Sequence, residues 1–451
     1  MPAQSVCDSV WLAKCQKPFM YAHASAGQNP ELRTLFYRLA RLFSLPLTAV
    51  FVFDGPNRPS IKRGKKVIKA QHWLTAGAMR LIGDFGFQWH LAPGEAEVEL
   101  ALMNQLGLID AIMTDDGDAF AFGAETVIRN PSVKFDHDTV MVYTYSALAS
   151  HPDVKLTRGG MLLMALLSGG DYPESNTDSS SEWTTRLRAS HFTWTGLLRA
   201  GNRLMPLLRL FLHGWRNNLR WLLCSDPNGY LGRRHVALAS TIPDTFPTVD
   251  ILRAYVYPAT SSPEALLDVG FCGAISFDLA RLARTCEQYF TWGDNVTNLL
   301  KKFEKMVWPG VVLRLLMAEC VITLERAHQL HEEVVASLLD SIKISQSRIK
   351  SGVSEFKLQV LPTPLIPTTL SELLGGFLGS NNQPADHVAA AVMSKYWIPS
   401  CVLAQARQPR SLAASSGTII SHSPLHSSVD GATNAGYTNY RQSGQRKTRR
   451  Q

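Results

Sequence analysis

The chain has 451 residues, 45% of them hydrophobic, a formal net charge of +8 and a pI near 9.1. That length allows two or three domains; no apolar run is long enough to span a bilayer, and the start, MPAQSVCDSVWLAKCQ, lacks a signal-peptide pattern. The seven cysteines (Cys7, Cys15, Cys224, Cys272, Cys286, Cys320, Cys401) form no CxxC pair, which argues against a zinc site or a disulfide framework and for a reduced, intracellular compartment, while the positive charge suits a polyanionic partner.

Residues 1 to 53 read as strand, helix, strand. Asn29 to Leu45 repeats apolar residues at helical spacing, with Arg33, Arg38 and Arg41 on other faces. Leu47 to Phe53 is a buried strand, and Asp54-Gly55 ends it. The basic run Arg58, Lys62, Arg63, Lys65, Lys66 and Lys69 follows and reads as the start of a helix. Gly77 to Phe87 leads to a strand at Gln88 to Leu91, in which His90 is expected to be a satisfied structural histidine. Pro93 and Gly94 then open a helix with proline in its first turn, from which Glu95 and Glu97 project near the positive helix end.

After Gly107, the run Leu108 to Thr114 reads as a short parallel strand ending in Asp115-Asp116-Gly117-Asp118. Carboxylates at the C-terminal edge of such strands face the crevice where open α/β sheets bind ligands. Val127 to Asn130 and Thr139 to Tyr145 read as further strands, and Leu162 to Leu167 as a helix running into Ser168-Gly169-Gly170-Asp171-Tyr172. Bringing several carboxylates together in an otherwise apolar segment costs several kcal/mol without a counter-charge. A divalent cation would remove that cost, and hard oxygen donors without paired His or Cys favour Mg²⁺ or Mn²⁺ and, with them, phosphoryl chemistry.

Ala92 to Ala101 (APGEAEVELA) followed by Thr114 to Ala124 (TDDGDAFAFGA) closely resembles the internal motif of the structure-specific 5′ nucleases: the flap endonucleases, the XPG excision nuclease and the Holliday-junction resolvases, in feel nearest to the fungal resolvase-like branch. FVFDGPNRPSIKRGKK resembles the N-terminal motif of that family, and LLSGGDY is a third match. The likeness covers roughly residues 5 to 172 and resumes in patches from Trp215 to about Gly310. It implies a PIN-like α/β core, its central sheet mainly parallel and flanked by helices. It also implies two Mg²⁺ ions, replaceable by Mn²⁺, about 4 Å apart among Asp54, Glu95, Glu97, Asp116, Asp118 and Asp171. Glu97 would bridge the ions, Asp116 and Asp118 would hold the second, and Asp115 and Glu99 would be outer-shell or solvent-facing. Lys62 and Lys69 would steer the scissile phosphate, while Arg58, Arg63, Lys65, Lys66, Arg233 and Arg234 would meet DNA. The reaction implied is hydrolysis of flap, bubble or four-way junction DNA in repair or recombination, leaving 5′-phosphate and 3′-hydroxyl ends.

The family pattern V-D-x-S-x-W-L places one more ligand at the end of the first strand. Here the text is Val6-Cys7-Asp8-Ser9-Val10-Trp11-Leu12, so the aspartate is displaced by one position, and a one-residue slip turns a side chain to the opposite face. The family's opening strand is expected to lie upstream of this chain. The family's glycine hairpin, G-x-G-x-x-x-A, which grips duplex phosphates, has no counterpart between Pro173 and Gly214.

The expected organisation is therefore a nuclease core over 1–172, a divergent insert over 173–214, and a helical DNA-binding part over 215–335. A chromodomain-like β module over 336–383, marked by the alternation in 341 to 360, and a disordered basic tail over 384–451 follow. Lys447, Arg449 and Arg450 near its end read as a nuclear-import signal. Two other readings stay open: a non-catalytic DNA-binding relic, and an RNA-cleaving nuclease on the same sheet. Whether the chain dimerises on DNA is open as well.

Overall fold

The structure, a computed structural model, describes residues 8–11, 29–62, 65–67, 73–129, 140–152, 156–168, 205–227, 229, 231–269, 277–292, 296–321, 342–350, 352–360 and 395–406. One compact unit spans Met1–Gln408; a second, Pro409–Gln451, lies outside the described residues.

A six-stranded sheet organises the first part. Its strands are β1 (Asp8–Trp11), β2 (Thr48–Phe53), β5 (Gln88–Leu91), β6 (Ala111–Met113), β7 (Thr126–Arg129) and β8 (Met141–Thr144), in the order β5-β2-β1-β6-β7-β8. All neighbours are parallel except β7 and β8, as the mainly parallel expectation required. Two minor strands, β3 (Ile61–Lys62) and β4 (Lys65–Lys66), form a separate hairpin.

That hairpin corrects the helix start expected for the basic run. Pro56 and Pro59 disfavour helical backbone at the residues before them and supply no N–H. Helix α2 begins only at Thr75 and ends at Asp84. Helix α1 (Pro30–Phe43) sits where its periodicity placed it.

Every second residue of β2 faces a different core. Val50 and Val52 join α3 (Ala96–Gln105), α4 (Asp118–Ala121) and α6 (Arg158–Ser168), with the short α5 (Tyr145–Ser150) at the margin. Helices α7 (Met205–Ser225), α8 (Val236–Thr241), α9 (Val249–Val256) and α10 (Pro263–Val269) complete that layer. Ala49 and Phe51 join α1, α2, α11 (Leu279–Tyr289), α12 (Val296–Met306) and α13 (Trp308–Val321) on the other face. The downstream helices thus cover both faces, which buries a parallel sheet as its chemistry demands.

Close approach fixes α13 on α1. A Cβ at Gly310 would lie 2.2 Å from Phe43 Cδ1 and 2.8 Å from its carbonyl oxygen. One turn on, buried Arg314 donates from Nε to Phe43 O at 3.2 Å and from Nη2 to Leu45 O at 3.1 Å. It satisfies carbonyls that the end of α1 leaves open. Burial pulls its guanidinium down to about 10, still charged at neutral pH.

The expected hairpin forms as β9 (Ile342–Lys350) and β10 (Val353–Val360). A third strand, β11 (Lys395–Pro399), pairs antiparallel with β10 and runs into α14 (Ser400–Ala406). Both lie in the stretch expected to be disordered tail, which the structure corrects. Buried Tyr396, Ile398, Val402 and Leu403 belong to the same core as α1 and α2, so this segment is folded because it has apolar surface to bury.

Candidate metal centre

The acidic residues follow the C-terminal ends of β2, β5 and β6 along one edge of the sheet. Asp54 follows β2, whose last residue Phe53 pairs with Leu91 of β5. Thr114 to Asp118 follow β6, and β1 lies between β2 and β6. Asp54 and Asp116 therefore emerge two strand spacings apart, roughly 10 Å. The outer oxygens around two ions with metal–oxygen bonds near 2.1 Å span about 8 Å, so the gap suits such a pair.

Gly55 shows that the Asp54 turn is more than a chain reversal. Its N–H donates to Gly94 O at 2.7 Å, and Asn57 N donates to Pro93 O at 2.9 Å. A Cβ on Gly55 would sit 1.7 Å from Ala92 O, so only glycine fits. Ala96 N donates to Asp54 Oδ1 at 2.9 Å, and Asp54 thereby occupies an open N–H of the first turn of α3. The sequence expectation put Pro93 inside that turn. It lies before it, and Glu95 is the N-cap in extended conformation.

Three glutamates at the start of α3 are buried: the N-cap Glu95 is 7% exposed, Glu97 4% and Glu99 0%. Lys62 Nζ donates to Glu95 Oε1 at 2.8 Å, and Arg58 Nη1 lies 3.3 Å from Asp54 Oδ2. On the β6 side, Asp118 N donates to Asp116 Oδ1 and Asp116 N to Thr114 Oγ1, both at 3.1 Å. Those bonds fold Thr114–Asp118 into a turn that leads into α4. Exposed Asp115 offers its backbone carbonyl to Arg129 Nη2 at 2.6 Å.

Glu99 is fully enclosed, which removes the solvent-facing alternative of its expectation. His90 Nε2 lies 2.8 Å from its Oε1, and Ser261 N donates to Oε2 at 2.9 Å. Burial pushes this carboxyl upward, but the hydrogen bonds from His90 and Ser261 outweigh it and hold it below the ordinary glutamate value. His90 is thus the satisfied structural histidine that was expected.

The expected cage of six carboxylates is not closed. Among the described residues, no three His, Cys, Asp or Glu side chains surround one point. Asp171 and Lys69 lie outside the described residues, as do Arg63 and the side chain of Lys65. Asp8 opens β1 opposite Thr48, at the end of the sheet away from the acids. No Asp or Glu occurs between Trp11, the last residue of β1, and Gln28. What the structure brings together is a row of hard oxygen donors along one edge, of which Asp54 and Glu95 carry cations from their own chain. The donors fit Mg²⁺ or Mn²⁺ by type, and the cations supply the counter-charge that buried carboxylates require. Arg233 and Arg234 are exposed just before α8, and Lys66 is exposed on β4.

The two links at this site that sequence reasoning missed, Lys62 to Glu95 and His90 to Glu99 to Ser261, join residues 33, 9 and 162 positions apart. Only the buried acid at Glu99, two residues past Glu97 on an apolar helix, was a visible hint.

Comparisons place these observations among known proteins. The XPG I-region family model matches residues 86–171. Flap endonuclease GEN homolog 1 of Mus musculus is 29% identical over 182 residues, which are 36% of this chain and 20% of that protein. Among solved structures, a eukaryotic junction-resolving enzyme GEN-1 binding with cesium superposes with a TM-score of 0.69 at 28% identity, covering 88% of this chain and 89% of the other. The Holliday junction-resolving enzyme GEN1 in complex with product DNA, Mg²⁺ and Mn²⁺ ions gives a TM-score of 0.65 at 28% identity, with 89% of each chain covered. The fold is the PIN-like α/β nuclease core, and the chain's match spans about a fifth of the length of the mouse relative.

Proposed function

We propose that this chain, which carries an XPG I-region within a nuclease core of the junction-resolving type, is a divalent-metal-dependent endonuclease that cuts branched DNA. The observation that carries the reading is the acidic sheet edge: Asp54, Glu95, Glu97, Asp116 and Asp118 come from three separate segments that follow the C-terminal ends of β2, β5 and β6 in one sheet. Those residues, with Asp171, would hold Mg²⁺ or Mn²⁺. When bound, two such ions activate water and stabilise the leaving oxygen in phosphodiester hydrolysis.

The chain's own residues do the rest. Glu97 is buried on the first turn of α3 and would supply a carboxylate there. The bond from Ala96 N to Asp54 Oδ1 holds the β2 and α3 donors in one unit. Lys62 and Arg58, beside Glu95 and Asp54, place positive charge where a phosphate must arrive, and a polyanion needs such neutralisation before it can approach acids. Exposed Arg233 and Arg234 would contact backbone phosphates away from the cut. Repair or recombination in the nucleus, on flaps or four-way junctions, is the setting this chemistry serves, and the basic end near Lys447 fits import.

A second reading, a DNA-binding relic, draws on the start of the sheet: Asp8 sits at the wrong end of β1, and no carboxylate follows that strand before Gln28. One experiment separates the two. Purified full-length chain with Mg²⁺ or Mn²⁺ is mixed with labelled flap, bubble and four-way junction DNA, matched linear duplex and the equivalent RNA junctions. Cleavage of the branched DNA to 5′-phosphate and 3′-hydroxyl ends is expected, with Glu97→Gln reducing it at least about a hundredfold. Binding without cutting would establish the relic, and preferential cutting of RNA would replace the DNA assignment.

A further inference from the structure

Glu99 has no place among the expected metal donors, yet it is fully enclosed and tied at both oxygens. Its Oε1 lies 2.8 Å from His90 Nε2 on β5, and its Oε2 accepts from Ser261 N at 2.9 Å. Ser261 lies between α9 and α10, in the downstream helical part of the chain. The same connection touches α3 again at its start: a Cβ on Gly94 would meet Ala259 O at 2.5 Å. Residues 259–261 therefore lie against both Gly94, just before α3, and Glu99 within it.

What they brace is the turn that bears Glu95 and Glu97. The backbone N–H of Glu99 donates to Glu95 O at 3.2 Å, so the residue gripped by Ser261 is also the residue that closes the first turn. From the opposite side the turn is held by Asp54 Oδ1 on Ala96 N and by Gly55 N on Gly94 O. A buried acid with its partners is often no more stable than a well-packed apolar side chain. Such a network fixes where things sit more than it adds stability.

We infer that Glu99 is a positioning residue: by joining His90 and Ser261 it sets the first turn of α3, and with it Glu95 and Glu97, against the downstream helices. The inference rests on the metal-centre reading above.

Mn²⁺ binding, followed by electron paramagnetic resonance of the full-length chain without DNA, reads this position directly. Glu99→Leu removes both bonds, whereas Glu99→Gln keeps an acceptor for Ser261 N and a polar partner for His90. Glu99→Leu should weaken Mn²⁺ binding about tenfold and lower kcat while leaving KM for junction DNA unchanged; Glu99→Gln should stay within about twofold of the wild type. Should Glu99→Leu not fold, His90→Phe, which breaks one bond and leaves Ser261 engaged, should still weaken Mn²⁺ binding by a few fold. Wild-type Mn²⁺ affinity in Glu99→Leu or, where that variant does not fold, in His90→Phe would overturn the positioning role, as would equal losses in Glu99→Gln and Glu99→Leu. A wild-type chain that binds no Mn²⁺ would overturn the metal centre itself, and the inference with it.

Discussion

The two faces of the central sheet are packed by different means. On the α1 and α2 face, Phe36 meets Phe85, Phe290 and Trp292 with ring centroids 5.5, 5.8 and 5.3 Å apart, and Phe43, Phe51 and Phe303 fill the surroundings. On the α3 and α4 face, the buried positions beside the acids mix small residues, Ala92, Ala96, Ala101, Ala119, Ala121 and Ala124, with larger ones such as Val98, Leu100, Phe120 and Phe122. Large rings give area and rigidity. Small side chains let backbones approach until main-chain groups of one segment reach those of the next, as Gly55 reaches Gly94. Both faces bury large apolar side chains, and the acidic one also lets main-chain groups of neighbouring segments meet beside the carboxylates.

The contrast can be broken most sharply on the aromatic face. Phe36→Ala should cost about 3–5 kcal/mol, seen as a lower denaturant midpoint, while cleavage per folded molecule stays near the wild-type value; a loss of activity in the folded fraction would mean the two faces are not separable. On the acidic face the order of effects should invert. Gly55→Ala forces the Asp54 turn away from Ala92 O and should cost about 1–3 kcal/mol as an overpacked contact, yet reduce cleavage far more than that loss of stability explains.

The smallest effect distinguishes two buried acids, one on each face. Asp84 is fully enclosed, with Thr285 Oγ1 donating to its Oδ2 at 2.5 Å and Arg281 Nε 3.3 Å from its Oδ1. Burial raises its carboxyl above the ordinary 3.8, and Thr285 and Arg281 offset that only in part. The folded chain then holds this proton more firmly than the unfolded one, so the contribution of Asp84 is largest in acid and declines as pH rises from about 4 through its folded value. Asp84→Asn should abolish that decline and raise stability at pH 7 by roughly 1 kcal/mol, read as a flatter curve of midpoint against pH. Glu99, held below its ordinary 4.5, works in the other direction: its contribution is present above that value and is lost as pH falls through the folded one.

Local signals made much of this architecture legible. The periodicity of 30–43, the apolar run of β2 and the alternation of 342–360 each specify their element without help from distant residues. The acid-rich stretch from Glu95 to Asp118 was visible for the same reason, since its chemistry is written within a few turns of chain. What escaped depends on partners far along the chain. β11 is five residues long and becomes a strand because β10 is there to pair with it. Within the basic run, residues 61–62 and 65–66 pair as a hairpin where a helix start was expected. Lys62 finds Glu95 across 33 residues, and Glu99 finds Ser261 across 162; no spacing rule connects either pair.

The placement of Tyr396, Ile398, Val402 and Leu403 in the α1 and α2 core bears on how the protein can be handled. A fragment ending near Val321 would expose the greasy patch on α13 where α14 now sits and would tend to clump during purification. Preparations meant for crystals or enzymology should therefore keep every residue through Ala406, and the obvious trimming point at Pro384 would cut through a working part of the scaffold.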